Sequence, residues 1–209
     1  LIESLLIFLS ELSGHKVEGR QTTLEIGGVK GHRDSVVDGH LIDKKSASTR
    51  SFDNFKRGLT QETDKFGYIP QLNLYLEGSK DDPVVVDKDK ASFLVMDKQH
   101  GHLHLDTHEK MPDIDWEKEV VKRIEEVNGP DLPPRAFEAK PDGYYKDKQF
   151  VPNGNLILGT ECSYCDEKFH CWDNIRTFIY SNGPKYFVSI KEGKEPKVFE
   201  VKGEVIDDE

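Results

Sequence analysis

Asp38-Gly39, set between Val36-Val37 and His40-Leu41-Ile42, constrains this chain more than any other feature. Both central residues of a two-residue hairpin turn take positive φ, and Asp-Gly is among the pairs that do so most readily. With the turn placed there, counting outward pairs Val37 with His40, Val36 with Leu41 and Ser35 with Ile42. Asp34 then stands opposite Asp43, with Cβ atoms roughly 5 Å apart on one face. Side chains alternate along a strand, so Lys45 shares the face of Asp43. Two carboxylates this close repel unless something cationic lies between them. With a lysine beside them they form the donor set of a divalent-cation-assisted phosphodiester hydrolase. The carboxylates suit a hard cation, the cation activates water and stabilises charge on the phosphate, and the lysine positions the water or neutralises the transition state. An exposed hairpin with ordinary surface charges has the same short pattern, so the rest of the chain has to be weighed with it.

Around the hairpin the reading is mixed. Leu1, Leu5, Phe8 and Leu12 fall at helical spacing and predict an amphipathic helix over residues 1–13. From Val17 to Lys45 the pattern is β, with Gly27-Gly28 as a turn. A short helix is expected from Ser51 to Leu59, capped by Ser51, and another over residues 68–77, with Pro70 tolerated in its first turn. The stretch from Ala91 to Lys110 reads as a hairpin with Gly101 near its turn, and residues 115–127 as an amphipathic helix opened by an Asp cap. A Pro-rich connector, PDLPPR, leads to a cysteine segment at 160–172, and YFVSI with KVFEV predicts a closing hairpin at 184–202. This order fits an α/β (α+β) fold with a mixed central sheet flanked by helices, in one domain over residues 1–209 and with its catalytic core at about 1–110.

Charge narrows the function. A net −10 excludes a protein that coats nucleic acid by bulk electrostatics, but local charge decides for an enzyme. From Lys44 to Arg57 there are five Lys or Arg residues and one acid, Asp53. Ser46, Ser48, Arg50 and Lys56 are candidates for phosphate contacts, with a solvated surface as the plainer reading. No apolar run is long enough for a membrane helix, so no membrane partner is expected, and three cysteines clustered between 162 and 171, unlike a disulfide framework, point to a reducing cytoplasm. The chain begins at Leu1 and not at Met, so upstream residues are expected to be missing.

The segments GHRD, DKK and QLNLY, in that order, resemble the RecB-like branch of the PD-(D/E)XK nuclease superfamily. Gly31 and Asp34 match its first motif, Asp43 and Lys45 its second, and Gln71 and Tyr75 its third. The resemblance implies a restriction-endonuclease-like core and a Mg²⁺- or Mn²⁺-dependent deoxyribonuclease, an exonuclease of the phage type acting on DNA in recombination or repair. It implies Asp34, Asp43 and the main-chain carbonyl of Lys44 as metal ligands and Lys45 at the nucleophile. Gln71 and Tyr75 would orient the lysine and the strand. An acid on the N-terminal helix completes such sites, with Glu3 the first candidate here and Glu11 the second. A single-strand annealing protein or a helicase is the partner implied by analogy, and the residues leave the oligomeric state open.

Cys162, Cys165 and Cys171 resemble the C-terminal cysteine cluster of iron–sulfur-containing exonucleases. A [4Fe–4S] cluster needs a fourth ligand, which either precedes Leu1 or is replaced by His170 or another group in a zinc or cluster site. Three structural thiols without metal are the remaining alternative. HGHLH at 100–104 offers imidazoles for Zn²⁺ or Ni²⁺ and reads more simply as an exposed hairpin strand. Two other functions fit the same residues: a non-catalytic DNA-binding or assembly module on this fold, and a metal-binding regulatory protein centred on the cysteines.

Overall fold

In the computed structural model Asp38 and Gly39 both take positive φ, 51° and 82°, and the strands they join pair Val37 with His40, Val36 with Leu41 and Ser35 with Ile42. Gly39 is required twice over, because a Cβ there would also meet Val86 Cγ2 at 2.7 Å. The structure describes residues 2–130 and 134–201. Leu1, the middle of the Pro-rich connector at 131–133 and the end of the expected closing hairpin at 202 lie outside the described residues. Where the sequence reading expects one domain, the chain divides into two compact units, residues 1–128 and 129–209.

The first unit runs α1 (Ile2–Leu12), β1 (Val17–Glu18), β2 (Thr22–Ile26), β3 (Val29–Arg33), β4 (Ser35–Val37), β5 (His40–Ala47), α2 (Thr49–Lys56), α3 (Tyr68–Gly78), β6 (Lys90–Asp97), β7 (Leu103–Glu109) and α4 (Trp116–Val127). Its sheet has the order β1-β4-β5-β6-β7, with β5 and β6 parallel and the other pairs antiparallel. β5 and β6 are central and almost wholly buried, as parallel neighbours covered by helices must be. Phe52 and Phe55 of α2 and Ile69, Leu72 and Leu76 of α3 pack against Val36, Leu41, Phe93 and Val95 of the sheet. Each such side chain contributes roughly 2 kcal/mol when buried, against about 1 kcal/mol for a helix cap. Packing, not capping, therefore holds α2 in place.

Three local expectations are corrected. The cap of α2 is Ser48, whose Oγ accepts from the Ser51 amide at 3.4 Å, so the helix begins three residues before the expected Ser51. On α1 the buried residue is Leu6, while Leu5, Phe8 and Leu12 face solvent. The apolar stripe thus lies one position away from the packed face. The third concerns the second unit: β8 (Lys140–Lys146), β9 (Gln149–Ile157), α5 (Thr160–Ser163), α6 (Lys168–Cys171), β10 (Arg176–Tyr180), β11 (Gly183–Ser189) and β12 (Phe199–Val201). Its antiparallel sheet has the order β12-β10-β11-β9-β8, so β11 and β12 both pair with β10 and do not form the expected hairpin with each other. Phe178 and Phe187, edge to face at 5.2 Å, sit in its small core.

Mixed α/β architecture is therefore what the chain adopts, with sheets flanked by helices. Among the described residues no helix is long and apolar enough to cross a membrane.

Candidate functional site

The hairpin gathers the residues that its turn predicts. The ladder between β4 and β5 closes at Ser35–Ile42, so the expected pair of Asp34 with Asp43 is not part of it; Asp34 instead accepts the Lys44 amide N–H through its side chain at 2.6 Å. Lys44 thus enters the site through its N–H. Asp43, on the next position of β5, is 4% exposed. Lys45 Nζ stands 2.7 Å from Asp43 Oδ2 as an ion pair, and that oxygen is otherwise buried without a hydrogen-bond partner. Burial pushes the Asp43 carboxyl above the ordinary aspartate range; the Lys45 ammonium opposes this, and the Asp34 charge adds to it.

α3 supplies the other side of the lysine. Gln71 Oε1 accepts from Lys45 Nζ at 3.2 Å, and Gln71 Nε2 donates to the Tyr75 hydroxyl at 3.0 Å. Positions i and i+4 on one helical face make this relay possible. Burial raises the Tyr75 phenol, helped by the negative charge of Asp43. Lys45 also lies 4.6 Å from the centre of the Tyr68 ring, so an aromatic face limits its swing. Gly31, on β3, faces the same helix: a Cβ there would touch Tyr75 at 3.5 Å.

Glu3 joins the site from α1 through a residue that sequence reasoning missed. Gln21 Nε2 donates to Glu3 Oε1 at 2.7 Å and lies 3.5 Å from Asp34 Oδ1. Glu11, the second candidate, is instead paired with Arg20. Lys44 was expected to contribute only its carbonyl, yet its side chain is buried and donates to Ser35 Oγ. Desolvation lowers the Lys44 ammonium below the ordinary lysine range, with Asp34, Glu3 and Asp43 resisting. The Ser46, Ser48, Arg50 and Lys56 side chains are exposed, as phosphate contacts would need to be.

A second group lies further along the same sheet. Asp97, His100 and His102 place one donor atom each within 4.8 Å of one another, a triad able to hold a metal ion. The two histidines were visible in HGHLH, but Asp97 was not singled out; the D-x2-H-x-H spacing was the available signal. Asp97 is buried, and burial works against its charge. Hydrogen bonds from His100, the Gln99 amide and Thr49 outweigh that and hold its carboxyl below the ordinary range.

The cysteines correct an expectation. Cys162, Cys165 and Cys171 are free thiols on or beside α5 and α6, and they do not form a group with mutually close donor atoms. The expected iron–sulfur cluster is therefore not supported by the arrangement. His170, the substitute ligand, is engaged with Glu167 at 2.9 Å.

No family model matches the chain, and no curated protein and no solved structure matches it. This overturns the expected membership of the PD-(D/E)XK superfamily, together with the phage-type exonuclease, recombination and repair roles that it implied. Six residues in three short motifs are a small part of 209 residues, and short charged patterns recur by chance. What remains is the chemistry of the atoms themselves.

Proposed function

We propose that the chain hydrolyses phosphodiester bonds in DNA with the help of a divalent cation at the β4–β5 hairpin. One observation carries the reading: Asp43 is buried with the negative charge of Asp34 beside it, and its Oδ2 is met by the Lys45 ammonium at 2.7 Å. The ammonium answers this only in part, since burial and the Asp34 charge still leave the Asp43 carboxyl raised, and a further cation would offset the rest. The donor set suits Mg²⁺ or Mn²⁺, which prefer oxygen ligands. Asp34 and Asp43 would hold the ion, with the Lys44 carbonyl next in line; Glu3 does not close with them into a group of three donors within 4.8 Å and would have to approach.

When bound, such an ion supplies Lewis acidity toward a phosphate oxygen and acidifies a coordinated water. Lys45, held by Gln71 and bounded by Tyr68, keeps its ammonium beside Asp43, where it would stabilise negative charge on a phosphate under attack. Arg50 and Lys56 add positive charge for the flanking backbone.

The triad at Asp97 favours a second reading, a metal-binding protein without hydrolysis. One experiment separates the two. End-labelled linear DNA and closed circular DNA are incubated with Mg²⁺ or Mn²⁺ and either the protein or its Lys45→Ala form. Loss of DNA that requires the ion and Lys45 supports hydrolysis, and loss of linear DNA alone makes it exonucleolytic. Intact DNA in the presence of folded, ion-loaded protein rejects hydrolysis in favour of the second reading.

A further inference from the structure

We infer that Asp97, His100 and His102 form a binding site for a zinc-class divalent ion at the turn between β6 and β7, a site independent of hydrolysis at the hairpin. Donor chemistry is the first argument. Two imidazoles and one carboxylate suit Zn²⁺, Co²⁺ or Ni²⁺, whereas the all-oxygen set at the hairpin suits Mg²⁺ or Mn²⁺. The two sites would therefore sort different ions from the same solution.

Geometry is the second argument. Ligand atoms around Zn²⁺ at about 2.0–2.2 Å stand roughly 3.3–3.6 Å apart. The three donors already lie within 4.8 Å of one another, so small rotations of two exposed imidazoles complete the approach. Gly101 makes this possible: its φ of 71° folds the turn so that the His100 and His102 rings stack, 17° from parallel with centroids 5.6 Å apart.

Construction around the carboxylate is the third. Asp97 is 1% exposed, and Thr49 Oγ1 lies 3.1 Å from both of its oxygens while the Gln99 amide donates to Oδ1 at 2.9 Å. Such partners fix the orientation of a ligating carboxylate before an ion arrives. His100 Nδ1 stands 2.8 Å from Asp97 Oδ2, the contact that an ion would replace. Three protein ligands leave a fourth position for water or an external ligand. Asp97 pairs with Ala47 and Asp43's neighbour on β6 is Phe93, so four residues of strand, about 13 Å, separate the two sites. Thr49 is the first residue of α2, so the ion would brace the start of the helix that carries Arg50 and Lys56.

The test is calorimetric titration of chelator-stripped full chain with Zn²⁺, in a Cys162→Ser, Cys165→Ser, Cys171→Ser background so that no thiolate contributes. One equivalent should bind tightly, ahead of any weaker occupancy of the oxygen ligands at the hairpin. His100→Ala with His102→Ala should weaken it at least roughly 100-fold, more than loss of an outer partner costs, while Asp43→Asn leaves it unchanged. His100 is also a partner of the buried Asp97 carboxylate, so the metal-free double variant should melt below the parent yet stay folded at the titration temperature, which circular dichroism checks. Co²⁺ bound to the unmodified chain should give a ligand-field spectrum without thiolate charge-transfer bands. Absent Zn²⁺ binding, binding indifferent to both histidines, or a thiolate spectrum would overturn the inference. None of these outcomes bears on DNA cleavage at the hairpin.

Discussion

At Asp43 solvation and function pull in opposite directions. The folded chain raises its carboxyl above the ordinary value, so between the unfolded and folded values the native state holds a proton that the unfolded state has released. Stability from this group is then complete below the unfolded value and is lost as pH rises through the folded one. Above the folded value the protein carries the ionised group at a cost, which a bound cation offsets. Asp43→Asn should accordingly stabilise the metal-free protein by about 1 kcal/mol, the scale on which relief of strained sites acts. The same change should remove both the melting-temperature increase produced by Mn²⁺ and the cleavage of DNA. Thermal melts of the two proteins with and without Mn²⁺ check this; a destabilised variant would mean that Asp43 is a structural ion-pair partner of Lys45 and nothing more.

One element-scale tie escaped the sequence reading. Arg33 ends β3 inside GHRD, between two residues that drew attention for chemistry, yet it is 1% exposed and holds the hairpin's approach to the segment after α3. Its guanidinium reaches Ser79 Oγ at 2.8 Å and Asp82 Oδ2 at 2.5 Å. The Asp82 carboxyl is held below its ordinary range, chiefly by the Val84 amide N–H and also by Arg33. A depressed folded value means stability that is present above the unfolded value and lost as pH falls through the folded one. Asp82→Asn should cost roughly 3 kcal/mol, the low end for breaking a buried pair because the acid is partly exposed, and should flatten the acid limb of the stability curve. Urea melts from pH 3 to 7 read both effects. The contrast with the hairpin explains what a sequence can show. A turn type has a local signature, so the pairing of Val36 with Leu41 was legible. So were helices with their own period, α3 and α4. Long-range partners such as Asp82 for Arg33, Gln21 for Glu3 or Asp97 for two histidines have no periodic signal, because only tertiary packing brings them together. The apolar face of α1 failed for the same reason: period located the helix, but the sheet decided that Leu6 would be buried.

Across the whole chain, every residue proposed for either ion lies before Asn128, in the first unit. That unit has a core of its own, in which Val36, Leu41, Phe93 and Val95 of the sheet meet Phe52, Phe55, Leu72 and Leu76 of the helices. A segment of this length with an independent core is in the range that folds alone. Among the described residues of the second unit fewer are buried: Leu158, Trp172, Phe178 and Phe187 are its buried large apolar side chains, while Tyr144, Tyr145, Phe150 and Tyr164 are exposed. Cooperative stability should therefore be strongest in residues 1–128. A protein consisting of those residues should unfold in a single transition and keep the Mn²⁺-dependent melting shift that Asp43→Asn removes. DNA cleavage, if it needs only the hairpin site, should survive within about tenfold, a loss of roughly 1.4 kcal/mol in transition-state stabilisation. Retention of the melting shift with loss of cleavage would assign DNA engagement, and not ion binding, to the second unit. Loss of both would mean that the first unit does not hold its site without the rest of the chain.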